Sequence, residues 1–449
     1  MLGIPFEIPY IRHMTTAKKI LVLTYGSRGD VEPFIALADG LTKHGYGVTL
    51  STAERYGDWI KRFGLAFEPL SNEIIDLMDT PDGKAALEGA SGVFKRIAAG
   101  IRLTRKSGPL NDAQNFDAWH VAQEVQPDLI VHHPKVIAAP HIAEALGVPA
   151  VLAPLQPLVV PTHEFPPAGM PNLPIPGYNR FGYSLVNLSY GAFRNSINAF
   201  RTSALKLPPV KDRSEVLFPN GIGATKVLHA ISPTVIPQPK DWPVKAIMTG
   251  YWGLKSDKDY QPPDNLQRFL KAGPPPVYIG FGCMPAEDPQ ALQQTIIDAL
   301  CKANVRGVIS SGRAEFDEIE TDDILTIPSA PHAWLFPRMA AVVHHGGMGT
   351  TAQGFRAGVP CVICPFFGDQ PYWAKISVSL GVGAPPVPRG KLTSDTLSAS
   401  IIAAVNDTSL RSNARDLAEQ LQNEDGVATA IAEIQNTLVK ECFQDRSFV

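Results

Sequence analysis

The sequence has little cysteine, little net charge and no long apolar run. Only five of its 449 residues are cysteine, which excludes a disulfide framework and fits a reducing compartment. The net charge of −3 gives no basic field, so nucleic acid is not an expected partner. No stretch reaches the roughly 18 apolar residues of a membrane-spanning helix, and residues 1–17 lack a signal-peptide pattern. These absences predict a cytoplasmic protein.

Two of the cysteines, Cys361 and Cys364, are spaced like a redox or metal-binding pair. They lie in the apolar run 359–365, which is typical of a buried strand. No second cysteine pair or nearby histidine completes a zinc site. We therefore interpret both as buried thiols.

The first half of the chain alternates strand and helix patterns. Strands are predicted at 19–25, 47–52 and 66–70, and the helix predicted at 31–44 places Phe34, Leu37, Ala38 and Leu41 on one face. This β-α-β-α order predicts an α/β fold with a doubly wound parallel sheet. A chain of this length is expected to contain two or three domains.

The second half repeats the pattern after a polar, proline-bearing linker. A strand at 276–281, a helix at 289–303 and a strand at 307–310 open it, and helices close it. We expect an N-terminal extension (1–17), a first Rossmann-like domain (18–250), a linker (251–275), a second Rossmann-like domain (276–425) and a C-terminal helix and tail (426–449).

A glycine-rich run, His344 to Thr351, lies between a predicted strand and a predicted helix. Glycines let the backbone approach an anion, and the helix N-terminus offers free N–H groups. His345 and Thr350 add side-chain donors. Asp369 and Gln370 follow the next strand and suit sugar hydroxyls. The combination predicts a site for a nucleotide-sugar.

This run resembles the donor-binding motif of GT-B glycosyltransferases that use UDP-sugars. A second run, 26–33, with Asp30 ahead of Pro33, resembles the motif near the start of the same proteins. The run 365–373 is most similar to the branch of this family that contains sterol and lipid glucosyltransferases together with antibiotic-aglycone transferases. The resemblance implies two facing domains with an inter-domain cleft, and a C-terminal helix that crosses back onto the first domain.

Asp30 is the candidate general base, because transfer to a hydroxyl needs a group that accepts its proton. Partial burial would raise its pKa and make it a stronger base. The alternative is an N-cap of a helix starting at Val31. Many relatives place a supporting acid where His132 and His133 stand, so this pair is either part of the acceptor site or a polar strand end.

The resemblance also implies a donor site and a catalytic role for His345 at the leaving diphosphate. That site comprises Ser27, Arg28, Gly29, Gly282, Cys283, Ser329, Pro331, His332, His345, Gly347, Gly349, Thr350, Thr351, Gln353, Asp369 and Gln370. Two positions depart from the family, since Cys283 stands where serine is usual and Gln353 where glutamate is usual. No metal and no permanently bound cofactor are expected.

The acceptor is harder to place. The proline- and aromatic-rich segment 154–220 has no clear pattern, and His133, His163 and Phe165 are candidate acceptor residues. Residues 93–106 carry five cations and no acids, which indicates either contact with an anionic membrane surface or a surface helix packed on the core.

These features and the resemblance together predict a transferase that moves glucose from UDP-glucose to a hydroxyl of a sterol-like or other lipid, and the resemblance implies that the reaction is inverting and metal-independent. A natural-product transferase for a polyketide, peptide or phenolic aglycone is the alternative within the same class. A non-catalytic nucleotide-sugar-binding partner protein is the alternative from another class.

Overall fold

The chain folds around two parallel β-sheets. The computed structural model describes residues 17–80, 93–254, 260–282, 288–312 and 316–444. The strands are β1 Lys19–Leu23, β2 Gly47–Ala53, β3 Ala66–Leu70, β4 Leu129–His132, β5 Ala150–Leu152, β6 Lys226–His229, β7 Ala246–Met248, β8 Val277–Gly280, β9 Gly307–Ser310, β10 Ile324–Ile327, β11 Ala341–His344 and β12 Cys361–Ile363.

Helices flank both sheets. They are α1 Arg28–Lys43, α2 Gly57–Lys61, α3 Glu73–Asp79, α4 Val93–Val125, α5 Ala139–Leu146, α6 Tyr178–Gly191, α7 Arg194–Phe200, α8 Asp264–Lys271, α9 Pro289–Ala303, α10 His332–Leu335, α11 Met348–Ala357, α12 Gln370–Ser379, α13 Ser394–Asn406, α14 Thr408–Gln422 and α15 Gly426–Gln444. The predicted α/β class is confirmed.

The two sheets share one strand order. The first runs β3-β2-β1-β4-β5-β6-β7 and the second β10-β9-β8-β11-β12. The chain direction across the sheet reverses between β1 and β4, and again between β8 and β11. Ligands of open parallel sheets bind beyond the strand ends at such a reversal. A ligand site is therefore expected at the loops that follow these four strands.

The strands are apolar on both faces because both faces are covered. In β1, Ile20 and Val22 join one core cluster while Leu21 and Leu23 join another, as expected for a parallel sheet. The predicted face of α1 (Phe34, Leu37, Ala38 and Leu41) is fully buried. Each large apolar side chain of this kind contributes about 1.5–3 kcal/mol to folding.

Cys361 and Cys364 belong to different core clusters, so their thiols lie on opposite faces of the sheet. Both residues are buried, and burial raises the pKa of each thiol to about 12. The interpretation as inert buried thiols rather than a redox or metal pair fits this placement.

Three segments differ from the sequence prediction. Helix α1 begins at Arg28 rather than Val31, because Ser27 caps it. The linker predicted at 251–275 contains α8, whose Leu266 and Phe269 are buried. The unassigned segment 154–220 contains α6 and α7.

The last helix, α15, packs against α1 in the first half of the chain. Val427 and Ile431 lie over Gly40, which leaves no room for a larger residue there. Lys226, the first residue of β6, forms an ion pair with Glu433 of α15. The C-terminal helix thus contacts the half of the molecule that holds the first sheet, while the exact division into domains stays a prediction.

Candidate active site

Asp30 lies in the first turn of α1, just beyond β1. Its Oδ2 accepts hydrogen bonds from the Ser27 backbone N–H at 2.7 Å and from Ser27 Oγ at 2.9 Å. Lys135 Nζ lies 2.8 Å from the same oxygen. Asp30 is therefore the third residue of α1 in a capping box, rather than the N-cap considered from the sequence. The contacts fix its carboxylate at the end of the sheet.

The expected increase in the pKa of Asp30 is wrong. Burial does raise the pKa, but the Lys135 ammonium, the nearby His133 and the Ser27 N–H together outweigh burial and lower it below its ordinary value. An opposite charge and hydrogen bonds to the carboxylate both favour the ionised form. Asp30 is thus ionised at neutral pH.

The two histidines at the end of β4 have different surroundings. His133 Nδ1 accepts from the Lys135 backbone N–H at 3.1 Å, so its Nε2 carries the proton and lies 3.7 Å from Asp30 Oδ1. Burial lowers the pKa of His133 to about 3, so the ring is neutral. His132 is fully buried. Of the pair, His133 is the one beside the carboxylate.

The glycine-rich run after β11 forms a cradle in the second half. Gly346 has φ +91°, and a Cβ there would lie 2.5 Å from Ile363, so only glycine fits. His344 Nδ1 accepts from the Gly346 backbone N–H at 3.0 Å, which gives His344 a structural role in this turn. Gly347 then caps α11, and Gly349 in the first turn is exposed. The backbone at this helix N-terminus is open to an anion.

His345 lies between this cradle and the loop after β8. A Cβ added to Gly282 would lie 3.6 Å from His345 Cε1, and one added to Gly347 would lie 2.5 Å from His345 Nε2. Burial lowers the pKa of His345 to about 4, so the ring is neutral and carries one N–H donor. The structure thus brings Gly282, His345 and Gly347 together, while their role in binding a donor stays a prediction.

Asp369, at the end of the loop after β12, contacts the first half of the chain. Its Oδ2 accepts from Trp373 Nε1 at 2.8 Å and from Gln156 Nε2 at 2.7 Å. Burial raises its pKa, the Trp373 hydrogen bond lowers it, and the charges of Asp30 and Lys135 act on it in opposite directions. Asp369, Asp30 and Lys135 therefore share one electrostatic environment across the cleft.

Gln370 hydrogen-bonds to the backbone of the loop that precedes α12. Its Oε1 accepts from the backbone N–H groups of Phe366 at 2.7 Å and Phe367 at 3.1 Å. The sequence analysis gave sugar binding and helix capping as alternatives for this residue. The contacts give its amide oxygen a third role, which is to shape the loop that carries Asp369.

The side chains of Thr350, Thr351 and Gln353 on α11 have different surroundings. Thr350 is half-buried in the first turn, close to the open helix N-terminus. Thr351 is fully buried, and its hydroxyl donates to the Gly347 carbonyl at 3.0 Å. Gln353 points toward the linker, with Nε2 3.9 Å from the Cβ position of Gly253. A donor-binding role for Thr351 and Gln353 stays a prediction.

Ser329, Pro331 and His332, candidates for the donor site, lie in the loop after β10 and at the start of α10. Burial, the charge of Arg28 and the nearby His345 lower the pKa of His332 to about 4, so its ring is neutral. Pro331 caps α10, while Ser329, Ser27 and Gly29 are exposed. Cys283 lies outside the described residues.

The candidate acceptor residues are spread over the first half. His163 is exposed, its backbone N–H donates to Asp241 at 2.9 Å, and Arg180 approaches its Nε2 at 3.3 Å. Phe165 is half-buried against the core. Their roles toward an acceptor stay predictions, as does a membrane role for residues 93–106, which form the start of α4.

Three residues of the site were not predicted: Lys135, Gln156 and Trp373. Lys135 follows β4, the neighbour of β1 in the sheet, so its proximity to Asp30 follows from the strand order. Trp373 stands four residues after Asp369 on a helix, a spacing that brings side chains together. Gln156 lies 213 residues from Asp369, and no local pattern connects them.

The chain matches two family models. Residues 20–159 match the glycosyltransferase family 28 N-terminal domain, and residues 308–438 match the C-terminal domain of the erythromycin biosynthesis protein CIII-like family. A sterol 3-beta-glucosyltransferase of Arabidopsis thaliana is 33% identical over 92% of this chain and 67% of that protein. This chain belongs to the same glycosyltransferase family.

Other relatives of this glycosyltransferase are longer. A second sterol 3-beta-glucosyltransferase of Arabidopsis thaliana is 34% identical over 95% of the chain and 66% of that protein. The sterol 3-beta-glucosyltransferase of Candida albicans is 33% identical over 94% of the chain and 28% of that protein. The chain thus spans about two thirds of the plant relatives and under a third of the fungal one.

Solved structures confirm the fold. The glycosyltransferase of kitacinnamycin superposes with a TM-score of 0.68 at 18% identity, covering 94% of this chain and 99% of that one. The glycosyltransferase VinC, solved with dTDP, gives 0.65 at 19% identity over 94% and 100% of the two chains. The GT-B architecture of two facing Rossmann-like halves is therefore established for this glycosyltransferase.

No helix within the described ranges is both long and apolar enough to cross a bilayer. Among the residues that the structure describes, no group of three or more His, Cys, Asp or Glu side chains is placed to hold a metal ion.

Proposed function

We propose that this glycosyltransferase moves glucose from UDP-glucose to a hydroxyl of a sterol or another lipid, with inversion and without a metal ion. The observation that carries the proposal is the contact between the two halves at Asp369, whose Oδ2 accepts a hydrogen bond from Gln156 of the first half at 2.7 Å. Besides burial, the charge of Asp30 is near enough to raise the pKa of Asp369. The relatives named as sterol 3-beta-glucosyltransferases support the sugar and the acceptor class.

In the proposed reaction, Asp30 accepts the proton of the acceptor hydroxyl. The acceptor oxygen bonds to the anomeric carbon while the bond from that carbon to the diphosphate oxygen breaks, and UDP leaves with the electron pair. Attack from the side opposite the leaving group inverts the anomeric centre. Because Lys135 lowers the pKa of Asp30, the base is ionised before the acceptor binds.

The donor is proposed to lie along the second half. The open N-terminus of α11, His345 and Thr350 would hold the diphosphate, whose negative charge increases as the bond breaks. Asp369 would accept hydrogen bonds from the sugar hydroxyls. Residues 18–250 then serve as the acceptor half and residues 276–425 as the donor half, with UDP-glucose as a substrate and no permanently bound cofactor.

The test is product formation from UDP-glucose with a sterol and, separately, with a phenolic aglycone. Mass spectrometry identifies the product and NMR of the anomeric proton gives its configuration. Asp30→Asn is compared with wild type, and Asp39→Asn on the same helix, whose side chain pairs with the exposed Lys43, is the matched control. We expect a β-glucosylated sterol from wild type and the control, and about a 100-fold or greater loss in Asp30→Asn.

The other outcomes are distinct. Product from the phenol alone would assign the protein to natural-product transferases. UDP-glucose binding without product from either acceptor would favour a non-catalytic binder. Full activity of Asp30→Asn would refute the role of Asp30.

A further inference from the structure

A cavity lies in the first half of the chain, between α6 and the segment 214–222 that precedes β6. Its volume is about 440 Å³, which is within the range of pockets that hold small molecules. Its lining includes Pro161, Phe218, Ile222, Asn187, Ser214 and Glu215. The first three are apolar, and the last three carry an amide, a hydroxyl and a carboxylate. We call this space the α6 cavity, and its mixed lining suits a ligand that is mainly apolar and carries hydroxyls.

An unpaired hydroxyl lies on the same face of α6. Tyr183 stands four residues before Asn187, a spacing that makes two side chains neighbours on a helix. Tyr183 is 1% exposed, and among the described residues its hydroxyl has no hydrogen-bond partner. Burial and the nearby Tyr372 of α12 raise the pKa of Tyr183, so the phenol keeps its proton and remains a donor. Because a buried donor without a partner is costly, this hydroxyl indicates a ligand group that binds beside the cavity.

The inner side of α6 is close to the second half of the chain. A Cβ at Gly182 would lie 2.8 Å from the Pro167 side chain. In the loop that Pro167 begins, a Cβ at Gly169 would lie 3.2 Å from the Gly368 carbonyl oxygen. One loop therefore separates the inner side of α6 from the loop that carries Asp369.

The loop after β5 limits the distance between the α6 cavity and the proposed active site. Gln156 in this loop hydrogen-bonds to Asp369 at 2.7 Å, and Pro161, five residues later, lines the cavity. Five residues of extended chain span at most about 18 Å. Val159 and Val160 between them are both 1% exposed, so the loop is held against the core. An elongated ring-bearing lipid can thus reach from the site to the cavity.

We propose that the α6 cavity holds the end of the acceptor that is remote from the reacting hydroxyl, and that Tyr183 and Asn187 select acceptors with a second hydroxyl at that end. The acceptor class is then a ring-bearing lipid with hydroxyls at both ends, rather than one with an apolar tail. The assignment to the acceptor rests on the proposed function, whereas the binding of a hydroxylated lipid in the cavity does not.

The test compares a sterol with its side-chain-hydroxylated derivative, and equilibrium dialysis of the full chain measures each Kd without turnover. We expect wild type to bind the hydroxylated sterol about tenfold more tightly. Asn187→Leu and Tyr183→Phe should bring this ratio toward one, while Ser184→Ala, at an exposed position of the same helix, should keep it. Ser214→Trp, which fills the cavity, should weaken the binding of both sterols.

Thermal stability separates a ligand-binding role of Tyr183 from a structural one. Because its hydroxyl has no partner in the protein, Tyr183→Phe should melt at or above the wild-type temperature. Tyr25→Phe is the comparison, since it loses the hydrogen bond from the Tyr25 hydroxyl to the Ser71 carbonyl at 2.7 Å and should melt lower. A loss of stability in Tyr183→Phe as large as that in Tyr25→Phe would show a partner within the protein and overturn the proposal.

Product assays with UDP-glucose distinguish this proposal from the proposed function. If the two sterols bind with the expected ratio and neither is glucosylated, the proposed function fails and the assignment of the cavity stands. If both are glucosylated but bind wild type equally, the proposed function stands and the assignment of the cavity fails. Unchanged binding in Ser214→Trp, or no binding of either sterol to wild type, would also overturn the assignment.

Discussion

Replacing Gly26 with alanine should disable the proposed base without unfolding the protein. Gly26 has φ +137°, and a Cβ at this position would lie 2.3 Å from Asp30 Oδ2 and 2.9 Å from Lys135 Nζ. An ordinary carbon–oxygen contact is about 3.5 Å. The carboxylate must therefore move by about 1 Å, and the contacts with Ser27 and Lys135 that fix it must change.

The expected loss follows from that displacement. A shift of about 1 Å in a catalytic group costs about 100-fold in rate, equivalent to about 2.7 kcal/mol. Because alanine rarely adopts this backbone conformation, the substitution should also lower the free energy of unfolding by roughly 1–2 kcal/mol. We expect kcat with UDP-glucose and a sterol to fall about 100-fold.

Gly45 provides the control for backbone strain. It also has a positive φ, +88°, but a Cβ there meets nothing within 4 Å. Gly45→Ala should therefore show a similar loss of thermal stability and a normal rate. If Gly26→Ala were as active as Gly45→Ala, the assignment of Asp30 as a precisely held base would not survive.

Three further predictions concern charge, donor binding and metal. Lys135→Met removes the cation that lowers the pKa of Asp30, so that pKa rises and the acidic limb of kcat/KM moves to higher pH. Gln156→Ala removes a hydrogen bond to the Asp369 carboxylate, so the KM for UDP-glucose should rise about tenfold, as expected for a bond to a charged group. Treatment with EDTA should leave the initial rate unchanged.

Each of these has its own control. Lys135→Arg keeps the cation and should keep the acidic limb near its wild-type position, and a limb that stays unmoved in Lys135→Met would contradict the electrostatic argument. Gln156→Glu would place a second carboxylate against Asp369 and should weaken donor binding more than Gln156→Ala does. A rate lost with EDTA and restored by Mg²⁺ or Mn²⁺ would exclude a metal-independent reaction.

Sequence patterns predicted the parts of the fold and site that depend on local order. The strands β1, β2 and β3 of the first sheet were found because each is a short apolar run between turn residues. Gly282 and His345 were found because they follow strands directly, and the strand order then brings them together. The strand β10 was absent from the prediction, since a four-residue run between acids and a proline carries little periodicity.

The remaining parts depend on contacts between distant segments. The low pKa of Asp30 could not be predicted, because it results from Lys135, more than one hundred residues away in sequence. The role of Gln370 was also missed, because two backbone N–H groups of its own loop occupy its amide oxygen. A motif specifies residue types, whereas the hydrogen-bond partner is set by the folded loop.

The hydrogen bond from Gln156 to Asp369 has a consequence for engineering. A transferase built from two similar halves can be recombined into a chimera, in which the donor half is exchanged to change the sugar that is transferred. Here the first half supplies a hydrogen-bond donor to the acid of the second half. In a chimera that replaces the donor half alone, Gln156 of the first half would face the acid of another transferase in place of Asp369. Residue 156 should therefore be exchanged together with the loop that carries Asp369.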